Sequence, residues 1–136
     1  ASCTSSNGPA VILHGSEGAV SVHVEIARTR EQLSRGLMWR TELADDAGML
    51  FVFGDLAPRT FWMKNTPLPL DILFLDDAGT VVNVAAATTP YSEAPIRSAA
   101  PARYVLEVNA GFAAKHGIGP GARVELPAEA VSTTDK

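Results

Sequence analysis

Hydrophobic and polar positions alternate most regularly at Val20, Val22, Val24 and Ile26, with Ser21, His23, Glu25 and Ala27 between them. A period of two predicts a β-strand with one apolar and one polar face. His23 falls on the polar side, as a solvated side chain would. Before it, Val11-Ile12-Leu13 is a short apolar run, and His14-Gly15-Ser16-Glu17-Gly18 has turn chemistry. Further strands are expected at Met49–Phe53, Arg59–Asn65, Ile72–Leu75, Thr80–Ala87, Tyr104–Val108 and Ala122–Leu126. Asp76-Asp77-Ala78-Gly79 links the fourth and fifth of these, counted from Val20, as a hairpin. Pro67 and Pro69 bar regular central pairing between residues 66 and 70, because proline carries no amide donor.

Two segments change to helical spacing. Thr29-x-x-Gln32 reads as a capping box, and Leu33 and Leu37 follow four residues apart, which predicts a helix over 30–39. Arg30 and Arg35 lie off that apolar line, and Gly36 weakens the helix. Asn109 is placed to cap a second helix over 110–116, stopped by Gly117, with Lys115 and His116 suiting the dipole of its last turn. Three prolines between Thr88 and Pro101 predict a long exposed loop. The expected architecture is α+β: a mostly antiparallel, barrel-like β-sheet with two short helices. Residues 1–18 read as an N-terminal tether with a short first strand, 19–127 as a single globular domain and 128–136 as a tail.

Composition narrows the function classes. The chain has 136 residues, 46% of them hydrophobic and 19% charged, which excludes intrinsic disorder. No apolar run approaches the roughly 20 residues of a membrane-spanning helix. The formal charge of −4 disfavours nucleic acid, whose binding rests on a basic surface. The single cysteine, Cys3, excludes an intramolecular disulfide and a cysteine-based zinc site. Small residues before it and a polar Gly/Pro-containing run after it look like the end of a bacterial lipoprotein signal. The expectation is an exported protein, periplasmic or in the cell envelope, with Cys3 as a lipid attachment candidate and any membrane contact made through that anchor.

No catalytic signature is complete, and the three histidines have no metal-ligand spacing. Neither metal nor cofactor is indicated. The three methionines are expected as core filler. The anomaly is polar residues within apolar strands. Alternation puts Trp62 and Lys64 on one face, and Phe61, Met63 and Asn65 on the other. Asp71 would share a face with Leu73 and Leu75, and Glu107 with Val105 and Asn109. A carboxylate among aliphatic neighbours must be paired or become neutral. Lys64, Arg35 and the amides of Asn65 and Asn109 are the nearest candidates in sequence logic. One outcome is a buried polar network that only holds the fold. Another is a cleft in which Trp62 offers a stacking face and the polar groups supply hydrogen bonds, suited to a sugar or another small polar ligand. Asp71 and Glu107 could also form an acid/base pair.

Four motifs occur in order: Arg35-Gly36-Leu37-Met38; Gly48-Met49-Leu50-Phe51-x-Phe53; Phe61-Trp62-Met63-Lys64-Asn65-Thr66 with Pro69-Leu70-Asp71; and Tyr104-Val105-Leu106-Glu107-x-Asn109-x-Gly111. Over about residues 19–127 the chain resembles the bacterial and archaeal family known as domain of unknown function 192. The resemblance implies a small β-rich fold with helices and, often, export; it implies no activity. The family's polar positions map onto Arg35, Trp62, Lys64, Asn65, Asp71, Glu107 and Asn109. Residues 88–101 align to nothing in it. Three functions remain open: a module binding a small polar ligand or envelope component at those seven residues; a hydrolase using Asp71 or Glu107 as general acid or base, with Lys64 stabilising negative charge; and a structural or partner-binding protein.

Overall fold

The computed structural model describes residues 8–131. Strand β1 (Ala10–Gly15) turns tightly into β2 (Gly18–Ala27), pairing Leu13 with Val20 and Val11 with Val22. Val11, Leu13, Val22 and Val24 are buried, so the period of two becomes one buried face. Helix α1 (Arg30–Arg35) follows behind the expected capping box: Gln32 N–H donates to Thr29 Oγ1, and Thr29 N–H donates to Gln32 Oε1, both at 3.1 Å. Strand β3 (Ala47–Ala57) then runs parallel to β2, with Val24 opposite Gly48. Parallel neighbours need a crossover, and α1 lies on it. That connection packs Leu33 and Leu37 with Met49 and Phe51 of β3.

The remaining elements are β4 (Thr60–Phe61), β5 (Leu70–Leu75), β6 (Val81–Ala85), β7 (Ile96–Arg97), β8 (Ala102–Asn109), α2 (Phe112–His116), β9 (Arg123–Glu125) and α3 (Ala128–Val131). Seven strands form one sheet in the order β6-β5-β8-β3-β2-β1-β9, and β4 and β7 form a separate pair. The large sheet curls until its two ends touch. Val81 N–H donates to Ala122 C=O at 2.9 Å, Gly121 N–H to Val81 C=O at 2.8 Å and Val124 N–H to Gly79 C=O at 2.9 Å. Closure of this kind covers edge amides that would otherwise template association. The α+β, barrel-like expectation therefore describes the molecule.

Each face of the sheet has its own core. Leu50 and Val52 of β3, Leu73 and Leu75 of β5 and Leu106 and Val108 of β8 belong to one cluster, with Phe112 and Ala113 of α2. Met49 and Phe51, Ile72 and Phe74, and Val105 belong to the other, with Leu37 and Met63. Residues adjacent in sequence are thus separated by the sheet, and this decides which polar groups can meet.

Several expectations are corrected. The first helix ends at Arg35 rather than 39, because Gly36 adopts φ 50° and ψ −130°, a conformation open in practice to glycine alone. The strand expected over 59–65 is only Thr60–Phe61; beyond it the chain turns, with Thr66 N–H donating to Met63 C=O at 3.1 Å and Asn65 in the left-handed region at φ 56°. Alternation therefore does not govern Trp62 to Asn65. The segment 88–101 is not merely a loop: β7 within it pairs with β4, and Met63 N–H donates to Ser92 C=O at 2.8 Å. Asn109 does not cap α2; Gly111 holds the N-cap position without a side-chain bond. A third helix, α3, occupies the start of the expected tail, with Ala130 buried and Glu129 C=O accepting from the Arg28 guanidinium. The short first strand expected within residues 1–18 is present as β1, inside the sheet between β2 and β9. Cys3 lies outside the described residues.

Candidate functional site

A cavity of about 500 Å³ opens on the face of the sheet that α1 covers. One wall is Arg30 to Met38, excluding Glu31 and Gln32; the other is Thr60, Phe61, Trp62 and Thr66. Phe51 and Phe53 of β3 and Glu107 of β8 complete the lining. The fold dictates this assembly. The β2–α1–β3 crossover brings the helix over β3, and the β4–β7 pair carries Phe61 and Trp62 to the opposite side. Phe61 meets Phe51 and Phe53 edge-on, with centroids 5.0 and 6.3 Å apart.

Both walls are anchored. Beyond α1, Arg40 forms a bidentate pair with Glu25 of β2, at 2.8 and 2.7 Å. That hydrogen-bonded guanidinium holds the Glu25 carboxyl below its ordinary range, against the opposing effect of partial burial. Trp39 N–H donates to Asn65 C=O at 2.8 Å, joining the two walls directly. On the other side, the Arg59 guanidinium lies 3.9 Å over the Phe53 ring, and its Nε–H donates to Ala102 C=O at 2.9 Å.

Glu107 is the unusual member. In register it faces Met49 of β3 and Ile72 of β5, so its strand neighbours are apolar. The residue is only 4% exposed. Among the described residues none donates a hydrogen bond to its carboxyl, and burial alone pushes its pKa up to about 8. Gly36 sits above it: a Cβ at that position would lie 4.0 Å from Glu107 Oε1 and 3.1 Å from the Phe51 ring. The glycine that ends α1 thus also leaves room over the acid.

The structure brings together three of the seven residues singled out in sequence. Arg35, Trp62 and Glu107 line the cavity. Lys64 stands behind Trp62, its Nζ 4.9 Å from the ring centroid. Asn65 contributes its backbone carbonyl to the bond with Trp39. Asn109 Nδ2 donates to Leu43 C=O at 2.7 Å and to Ala44 C=O at 3.3 Å, and so holds the loop before β3. Asp71 lies on the opposite face of the sheet, fully buried, and accepts from Ala87 N–H at 2.8 Å and Ala113 N–H at 2.9 Å. Asp71 and Glu107 therefore form no acid/base pair. The cause is the register: Asp71 pairs with Val108 and Ile72 with Glu107, so the two carboxylates project from opposite sides.

Sequence reasoning missed Arg30, Ser34, Thr60 and the aromatic floor. The floor had a signal, since Met49, Phe51 and Phe53 alternate onto one strand face. The rest depends on the crossover and on β4, which carry no local mark. Among the described residues, no group of three or more His, Cys, Asp or Glu side chains is placed to hold a metal ion. No helix among them is long and apolar enough to cross a membrane.

Comparison with known proteins adds relatives. The family model DUF192, described as Uncharacterized ACR, matches residues 11–126. A crystal structure of a protein of unknown function from Novosphingobium aromaticivorans is similar, with a TM-score of 0.84 and 39% identity, over 91% of this chain and 99% of that one. A protein from Sinorhizobium meliloti, described as a candidate transcription regulator, is also similar, with a TM-score of 0.84 and 42% identity, over 92% of this chain and 98% of that one. Among curated proteins none matches.

Proposed function

The chain belongs to the DUF192 family, and from its geometry we propose that it is a binding module for a small organic ligand held in the cavity between α1 and Trp62. One observation carries this reading: a buried carboxyl without a hydrogen-bond donor lines a cavity otherwise built largely of aromatic and aliphatic side chains. A carboxyl buried only to hold the fold would be paired, as Asp71 is. Trp62, 44% exposed, supplies a flat face at the rim. An apolar ligand body with a few polar groups suits the Leu33, Leu37, Phe51, Phe53, Phe61 and Trp62 part of this lining.

Titration of a panel of small amines, acids, alcohols and saccharides against 15N-labelled protein tests the reading. The expected shifts gather at Gly36 to Met38, Phe51, Phe53 and the Trp62 indole. Binding of any hit should weaken at least tenfold in Trp62→Ala. Shifts confined to other surfaces, or affinity indifferent to Trp62→Ala, would reject it.

A second reading, hydrolysis, draws on the same acid. A carboxyl near 8 is poised to exchange protons at neutral pH. It would act without Asp71, which the sheet keeps away. Turnover of a small ester or amide that disappears in Glu107→Gln would favour this reading over simple binding.

The related protein described as a regulator prompts no DNA-binding proposal, because the acidic charge of −4 opposes a phosphate backbone. We also propose that the protein belongs to the cell envelope, with a lipid on Cys3. Mass spectrometry of the native, membrane-extracted protein should show the added acyl mass on the peptide bearing Cys3; an unmodified thiol would remove the anchor.

A further inference from the structure

Resting on the reading of the cavity as a ligand site, we infer that its ligand is a small zwitterion with an apolar middle, its ammonium group set against Glu107 and its anionic group at the mouth beside Arg30 and Arg35. Three features converge on this class. Glu107 is the one acidic side chain lining the cavity, and among the described residues nothing donates to it. A ligand that reaches it gains most by bringing both hydrogen-bond donors and positive charge, which an ammonium does. The rings of Phe51, Phe53, Phe61 and Trp62 line the same space, and aromatic faces attract an ammonium group as well as an apolar body.

The third feature is the mouth. Arg30 and Arg35 line the cavity yet are exposed, and among the described residues neither joins an ion pair, with Glu107 or any other acid. Two positive groups outside, only partly offset by Glu31 beside them, and one acid inside would disfavour a simple amine at the entrance. They suit a molecule that is positive at its inner end and negative at its outer end. The separation also requires the two ligand charges to be held apart, with something apolar against the rings between them.

The charged surroundings of Glu107 define its pH behaviour. Arg30 and Arg35 of α1 line the same cavity but are exposed, and β3 and β5 offer Met49, Phe51 and Ile72, none of them titratable. Arg103 stands four residues earlier on β8, on the same face, and Lys64 is turned toward the Trp62 ring. Burial dominates, so the empty site holds a proton at pH 7 that an ammonium ligand must displace.

Calorimetric titration with 4-(aminomethyl)benzoate tests this, with 4-(hydroxymethyl)benzoate and benzylamine as the analogues lacking one charge each. The zwitterion is expected to bind best. Its affinity should rise about tenfold per pH unit from 6 to 8 and then level, with close to one proton released per ligand at pH 7, as read from buffers of different ionisation enthalpy. Glu107→Gln should lose at least tenfold in affinity and abolish both the pH dependence and the proton release. Arg35→Gln should weaken the zwitterion several-fold while benzylamine, relieved of one repelling charge, binds somewhat more tightly. If the hydroxymethyl analogue binds as tightly as the amine and no proton is released, the ligand class is wrong while the cavity remains a binding site. If none of the three compounds binds the folded wild-type protein, the ligand class is likewise overturned, and the panel titration above decides the cavity separately.

Discussion

Between pH 5 and pH 8 the wild-type chain is expected to lose on the order of 4 kcal/mol of unfolding free energy relative to Glu107→Gln. The carboxyl titrates near its ordinary value of 4.5 in the unfolded chain and near 8 in the folded one. Across that window the native state holds a proton that the unfolded state has released. Raising the pH therefore favours unfolding. The contribution is fully present below about 4.5, is lost progressively as the pH climbs toward 8, and is flat beyond. Glutamine keeps the shape and cannot ionise, so the difference between the two proteins cancels every other titrating group. Denaturant unfolding of both across this range reads the effect directly. Parallel curves would mean that water reaches the carboxyl and that burial does not raise its pKa. A tightly bound ammonium ligand should flatten the wild-type curve, because it stabilises the ionised form.

Replacing Asp71 by alanine is expected to cost about 3–5 kcal/mol of stability at pH 7. The buried Ala113 N–H and the part-buried Ala87 N–H would lose their acceptor together. Ala87 follows β6 and Ala113 opens α2, so one side chain pins two segments to the inside of the curled sheet. The change leaves nothing of suitable shape to replace the carboxylate, and it also opens a void beside Phe112 and Ala113. Thermal and denaturant unfolding would measure it. Ligand affinity of the protein that remains folded should not change, since the sheet separates Asp71 from the cavity. A loss below about 1 kcal/mol would show that the two amides find water or relax. A selective loss of ligand affinity would return Asp71 to the site.

These two acids show where a linear chain is informative. Both were conspicuous as charges in apolar strands, and the requirement that each be paired or neutral follows from burial alone. Asp71 took one course and Glu107 the other. Nothing in the residues near either indicates which, because the deciding contacts come from Ala87, Ala113 and Gly36, which belong to other segments. Lys64 and Asn65 illustrate a different failure. Their assignment to opposite strand faces assumed that the strand continued past Phe61, whereas the chain turns there and pairs instead with residues from 88–101.

Period-two alternation, the capping box at Thr29 and Gln32, and the turn at Asp76 to Gly79 were enough to set the class of fold and most of its strands, since those signals act over a few neighbouring residues. The four ordered motifs carried family membership. The parallel pairing of β2 with β3, the closure of the sheet between β6 and β9, and the cavity over Glu107 were decided in three dimensions. Each depends on which face of one strand meets which segment far along the chain, and a shift of register by a single residue would have reversed it.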